Sequence, residues 1–223
     1  MQFFTKLFIG LMALTLPMCG IAEIKTVVFD YGGVVASVDR SVVVAGLSEL
    51  FGVESQAIEK ALVEARSVRQ SGGSEVAYWE DFAERQGLDL SDGWTKELQA
   101  INQSGLQPIE GVFELIDQLK EKGIAVALFS NITSRYALVV RKLGHYDRFD
   151  HVILSCDTRL KKPDSASYQN LFERLDCSPA ECFFIDDNPR NIQVGKELGM
   201  DGVVFESVEQ IKGALLERDI ALN

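Results

Sequence analysis

Four polar clusters carry the chemistry this chain is equipped for: Asp30 with Gly32 and Gly33, Ser130-Asn131, Lys161-Lys162-Pro163-Asp164, and Asp186-Asp187-Asn188. They offer carboxylates, a lysine pair, a hydroxyl and an amide. Carboxylates bind hard cations, a lysine offsets buried negative charge, and hydroxyl and amide groups donate to anionic oxygens. Asp30 is the most informative. It closes an apolar run, Ile24-Lys25-Thr26-Val27-Val28-Phe29, and Tyr31-Gly32-Gly33 follows at once. A carboxylate at the end of a buried strand is costly unless a metal or a cation offsets its desolvation. The glycines let the backbone come close to a ligand. Taken singly, each cluster has an ordinary reading: a turn Asp, a strand-to-helix link, a solvated lysine pair, a helix start. Together, each at a strand end or helix start, they point to one site.

The elements that must position them follow from hydrophobic pattern. The run before Asp30 predicts a central parallel strand covered on both faces. From Pro108 onward the pattern predicts helix 110–122, strand 124–129, helix 133–143, strand 152–154, helix 164–175, strand 182–185, helix 188–198 and strand 202–205. A last helix opens on a capping box of Ser207 and Gln210. This alternation predicts an α/β fold with a doubly wound parallel sheet, whose ligands bind at the carboxyl ends of the strands. Between residues 38 and 105 the pattern is helical: 39–50, 55–69, 74–86 and 91–103, with Ser55, Ser74 and Ser91 as N-caps and no strand. A lone first strand cannot bury itself. The helical stretch is therefore an insertion between two strands of one core, lying over the edge that carries Asp30.

Composition bounds the function. The chain has 223 residues, 47% hydrophobic, enough for one sizeable core. Its net charge of −11 argues against sequence-independent nucleic-acid binding. Met1 to Lys6 form a positive n-region, residues 7–16 a short apolar stretch, and Gly20 and Ala22 supply small residues. This reads as a signal peptide, residues 1–22, cleaved after Ala22. The expected location is periplasmic or secreted, without stable membrane association after cleavage. If the signal is not used, the location is cytoplasmic. The remaining cysteines, Cys156, Cys177 and Cys182, are odd in number and lack a CxxC pair. That argues against a disulfide framework or a zinc site. They read as apolar filler near strand ends, although Cys177 and Cys182 flank a loop short enough for pairing.

The set Phe29-Asp30-Tyr31-Gly32-Gly33-Val34, Ser130-Asn131, Lys162-Pro163-Asp164 and Ile185-Asp186-Asp187-Asn188 resembles the haloacid dehalogenase-like (HAD) hydrolase superfamily. Within it the chain is similar to small phosphatases with a helical cap after the first motif. The resemblance implies a Rossmann-like core of residues 23–37 and 106–223, with a cap at 38–105. It implies a Mg²⁺-dependent phosphatase of small phosphorylated metabolites, acting through an aspartyl-phosphate on Asp30. By the same resemblance Asp30, the Gly32 carbonyl, Asp187 and Asp186 (direct or through water) are the metal ligands. Lys162 neutralises Asp30 and a phosphoryl oxygen, and Ser130 and Asn131 donate to the other oxygens. Lys161 is expected to face solvent.

One position departs from the pattern. Most phosphatases of this superfamily carry an acid/base Asp two residues after the nucleophile; here that residue is Gly32. Gly32 favours an alternative, a non-catalytic protein that holds an anion and a metal. A haloacid dehalogenase-type hydrolase is the other alternative. The Asp186-Asp187 pair argues against it, because neighbouring carboxylates without a cation repel each other. In the cap, Arg66, Arg69, Tyr78 and Trp79 are within possible reach of the site. Arg69 is a candidate grip on a second anionic group, and Trp79 reads also as a helix-packing residue. His145 and His151 read as structural, and Arg190 and Asn191 as the start of a helix.

Overall fold

The run before Asp30 forms β1 (Thr26–Phe29), buried throughout, in a computed structural model that describes residues 22–70 and 73–222. The signal segment expected at residues 1–22 therefore lies, but for Ala22, outside the described residues. The chain continues through β2 (Ala36–Val38), α1 (Arg40–Phe51), α2 (Ser55–Gln70), α3 (Glu75–Arg85), α4 (Trp94–Ser104) and β3 (Leu106–Pro108). Next come α5 (Val112–Glu121), β4 (Ala125–Ser130), α6 (Ser134–Lys142), β5 (His151–Leu154), a short α7 (Ser155–Thr158) and α8 (Ser165–Leu175). The last elements are β6 (Cys182–Asp186), α9 (Pro189–Glu197), β7 (Asp201–Val204) and α10 (Val208–Leu216).

Five parallel strands form the sheet in the order β5-β4-β1-β6-β7. This is the expected α/β, Rossmann-like fold. Strand periodicity of two explains how both faces are filled. Val27 and Phe29 join Leu115, Ile116, Leu119, Ile211 and Leu215 in one apolar cluster. Val28 points the other way, into a cluster with Ala127, Phe129, Tyr168, Leu171 and Ile192. Each such side chain contributes about 1.5–3 kcal/mol on burial. The register sets Phe29 beside both Leu128 and Ile185, so Asp30 follows β1 between the ends of β4 and β6.

Helices α1 to α4 have an apolar cluster of their own, built on Leu47, Phe51, Ile58, Trp79, Phe82, Trp94 and Leu98. Phe51 stacks on Trp79 with ring centroids 5.1 Å apart. Asp39 caps α1 by accepting from the Ser41 and Val42 amides, and Ser74 caps α3 by accepting from Ala77. Three expected caps differ. Ser55 lies inside the first turn of α2, where the Glu54 carbonyl already accepts from Ile58. Ser91 is passed over, and α4 opens at Trp94 behind Gly93, because the buried Trp94 fixes where packing begins. Gln210 reaches back to the Glu206 amide rather than to Ser207, while the Ser207 hydroxyl accepts from Gln210.

Strand also appears where none was expected. β2 and β3 pair antiparallel, with Val38 opposite Leu106, and tie the two chain crossings into a ribbon. At three residues each, these strands are too short to show periodicity in sequence. The expected boundary at 37/38 falls within β2, and that at 105/106 falls where β3 begins. Among the described residues, no single helix is long and apolar enough to cross a membrane.

Candidate active site

Asp30 continues the β1 ladder by one bond, its amide donating to Ile185 O at 2.8 Å. The chain then turns sharply. Tyr31 O accepts from the Val35 and Ala36 amides, and the Gly33 amide donates to Ala36 O. Gly33 adopts φ +78°, and a Cβ there would lie 2.5 Å from Asp187 Oδ2. Only glycine permits that approach of the turn to the acidic pair. Gly32 differs: a Cβ there would meet nothing within 4 Å. The Tyr31 ring is buried, and its hydroxyl bonds His145 Nδ1 at 2.8 Å. His145 thus has the structural role expected of it.

Lys162 stands at the centre. Its side chain is 1% exposed, and its ammonium donates to Asp30 Oδ1 at 2.8 Å, Asp186 Oδ2 at 2.6 Å and Phe129 O at 2.7 Å. Phe129 and Phe184 present their rings to the same ammonium. Three acceptors match its three N–H groups. All three of its hydrogens thus serve the two carboxylates and a carbonyl. Asn131 holds the Lys162 loop: its Oδ1 accepts from the Lys162 amide at 2.9 Å and its Nδ2 donates to Lys162 O at 2.8 Å. Asn131 was expected to donate to an anion, but this pairing commits one of its two amide hydrogens to positioning Lys162. Ser130 lies buried at the end of β4, and Lys161 is exposed as expected.

Asp186 is fully buried and richly bonded. Oδ1 accepts from the Asn188 amide and Asn191 Nδ2, and Oδ2 from Lys162 and Asn191 Nδ2. Asn191 is thus more than a helix-start residue. Its side chain sits beneath the acidic pair, and Tyr168 donates to its carbonyl at 2.7 Å. The sequence signal was only an Asn in the first turn of the helix after Asp186-Asp187. Asp187 lies at the exposed rim. Carboxylate oxygens of Asp30, Asp186 and Asp187 lie within 4.8 Å of one another. Burial raises the Asp30 carboxyl above its ordinary range, opposed by Lys162. Partial burial and then the Asp186 charge raise Asp187. One lysine among three carboxylates leaves excess negative charge on hard oxygens, a donor set that fits Mg²⁺.

The helical insert meets this edge unevenly. Arg66 of α2 is exposed, and its charge is felt at Asp187, where it favours the carboxylate. Arg135 of α6 donates to Gln99 of α4, tying core to insert. Tyr78 and Trp79 do not reach the site. The Tyr78 hydroxyl donates to Glu64 at 2.9 Å, and Trp79 is fully buried among the insert aromatics. The Arg69 side chain lies outside the described residues. A cleft between the insert and α6 is lined by Leu98, Gln99, Asn102, Thr133, Arg135 and Tyr136, and its lining does not include the acidic cluster.

Several known proteins are similar to this chain. A flavin mononucleotide hydrolase of Arabidopsis thaliana is 28% identical over 144 residues, covering 65% of this chain, and the chain matches 58% of that protein's length. A sesquiterpene phosphatase of Aspergillus oryzae is 26% identical over 185 residues, covering 80% of this chain and 88% of the relative. A HAD family enzyme of Bacteroides thetaiotaomicron, solved with magnesium and inorganic phosphate, superposes with a TM-score of 0.62 at 25% identity, over 83% of this chain and 96% of that one. The haloacid dehalogenase-like hydrolase model matches residues 24–199, and the chain belongs to that family of hydrolases.

Proposed function

We propose that this chain hydrolyses small phosphomonoesters with Mg²⁺ as cofactor. The observation that carries the reading is Lys162, buried between Asp30 and Asp186 at the carboxyl edge of β1 and β6. A structural core gains little from such a buried charge cluster, whereas chemistry on an anion requires it. The phosphatases among its relatives support the reaction class. The magnesium in its structural neighbour supports the cofactor.

In this reading an Asp30 carboxylate oxygen attacks phosphorus. The bond to the leaving alcohol breaks, and an aspartyl-phosphate forms on Asp30. Water then attacks that phosphorus, releasing inorganic phosphate and restoring the carboxylate. Asp30, Asp187 and the Gly32 carbonyl would hold Mg²⁺, with Asp186 behind them. The ion, when bound, neutralises charge on the phosphoryl oxygens. Lys162 offsets part of the desolvation of the Asp30 carboxylate and orients it for attack. The Ser130 hydroxyl and the second amide hydrogen of Asn131 donate to phosphoryl oxygens. Residues 38–105 act as a cap that restricts the site to small phosphorylated metabolites. Because Gly32 provides no acid, a water or an insert side chain protonates the leaving group. Esters with good leaving groups are then cleaved fastest.

The test is phosphate release from p-nitrophenyl phosphate by the full chain with Mg²⁺, with EDTA and with Asp30→Asn. Turnover that needs Mg²⁺ and falls by about 10³-fold or more in the variant is expected. A folded protein silent on this ester and on sugar phosphates refutes the reading. It would favour the non-catalytic anion-binding alternative to which Gly32 points.

A further inference from the structure

We propose that Cys177 and Cys182 form a reversible intramolecular disulfide, a modification site at the opposite end of β6 from the acidic pair. Cys177 follows α8, and Cys182 is the first residue of β6. Their sulfurs are in contact, 2.8 Å apart, and both are free thiols. The four residues between them are already folded into the turn a bridge needs. The Ser178 amide and hydroxyl both donate to Glu181 Oε2, and Pro179 opens a 3-10 turn at Pro179–Glu181. The Lys25 amide donates to Glu181 O at 2.9 Å, and the Lys25 ammonium pairs with the Glu181 carboxylate, fixing the turn to the start of β1. The juxtaposition brings the two sulfurs within reach of each other.

The pair is also asymmetric in access. Cys182 is fully buried, whereas Cys177 is partly exposed, so a small-molecule disulfide reaches Cys177 first. The Cys177 thiolate attacks that disulfide, releasing one thiol and leaving a mixed disulfide. Cys182, giving up its proton, then attacks the Cys177 sulfur and releases the second thiol. Two protein thiols thus lose two electrons and two protons, and one oxidant disulfide becomes two thiols. Cys156 of α7, whose thiol donates to Asp157, takes no part.

The full chain, equilibrated with oxidised glutathione or with dithiothreitol, alkylated and digested with trypsin, tests this. One peptide, residues 175–190, contains both cysteines. After oxidation it is expected unalkylated and lighter by two hydrogens, with Cys156 alkylated. The melting temperature rises by about 4–8 °C, as a small closed loop gives in a domain of this size. Cys177→Ser, a change at a partly exposed position, loses both the mass change and the melting shift. A peptide alkylated at both cysteines after oxidation, or one that retains glutathione on Cys177 without closing the ring, overturns the proposal. The inference is independent of the phosphatase reading.

Discussion

The carboxyl edge of the sheet and the helical insert bury their side chains in opposite ways. At the edge, an ammonium and a carboxylate are removed from water almost completely, and every hydrogen of Lys162 has an acceptor. In the insert the buried groups are aromatic and aliphatic, and charges stay outside, as with Arg85 paired to Asp81. Among the described residues the insert's lapse is of a different kind: Trp79 Nε1 is buried without a hydrogen-bond partner. A buried ion cluster is a poor way to stabilise a protein, since desolvation cancels most of the attraction. Apolar packing is the effective way. The contrast therefore teaches which region is kept for chemistry and which for stability.

Substitutions can break or sharpen that contrast. Lys162→Met should have the largest effect on hydrolysis. It strands two carboxylates, lowering the rate on an aryl phosphate by roughly 10²–10³-fold and stability by about 3–5 kcal/mol. Initial rates and urea denaturation measure both. Lys162→Arg should rescue poorly, because three acceptors at 2.6–2.8 Å surround a compact charge. A Met variant with the parental rate would reduce the cluster to scaffolding.

Next in size is a gain. A side chain at position 32 meets open space, and the backbone there is not left-handed. Gly32→Asp should supply the missing acid and raise kcat on alkyl phosphates by about 10–100-fold, less on aryl phosphates. If alkyl and aryl esters respond equally, leaving-group protonation does not limit the parent.

The smallest effect on hydrolysis is expected in the insert. Trp79→Ala removes the ring stacked on Phe51 and should cost about 3–5 kcal/mol in denaturant unfolding. The rate on p-nitrophenyl phosphate at temperatures where the protein is folded should change only a few-fold. A large rate loss with little loss of stability would place Trp79 in the chemistry and dissolve the contrast between the two regions.

The sequence by itself determined the alternation of strand and helix from Pro108 onward, the insertion after β1, and the collection of Asp30, Lys162, Asp186 and Asp187 at one edge. Those features rest on local periodicity and on where polar residues end apolar runs, both written along the chain, and for Lys162 on the family resemblance of Lys162-Pro163-Asp164. Only the tertiary structure decided the rest. Asn191 turned out to support Asp186, Asn131 to hold the Lys162 loop, and Tyr31 to reach His145, 114 residues away. It also set Gly33 against Asp187, closed the β2–β3 ribbon and kept Tyr78 and Trp79 out of the site. These are distances between side chains remote in sequence. They are fixed by how strands register and helices pack, and no local pattern of residue types specifies them.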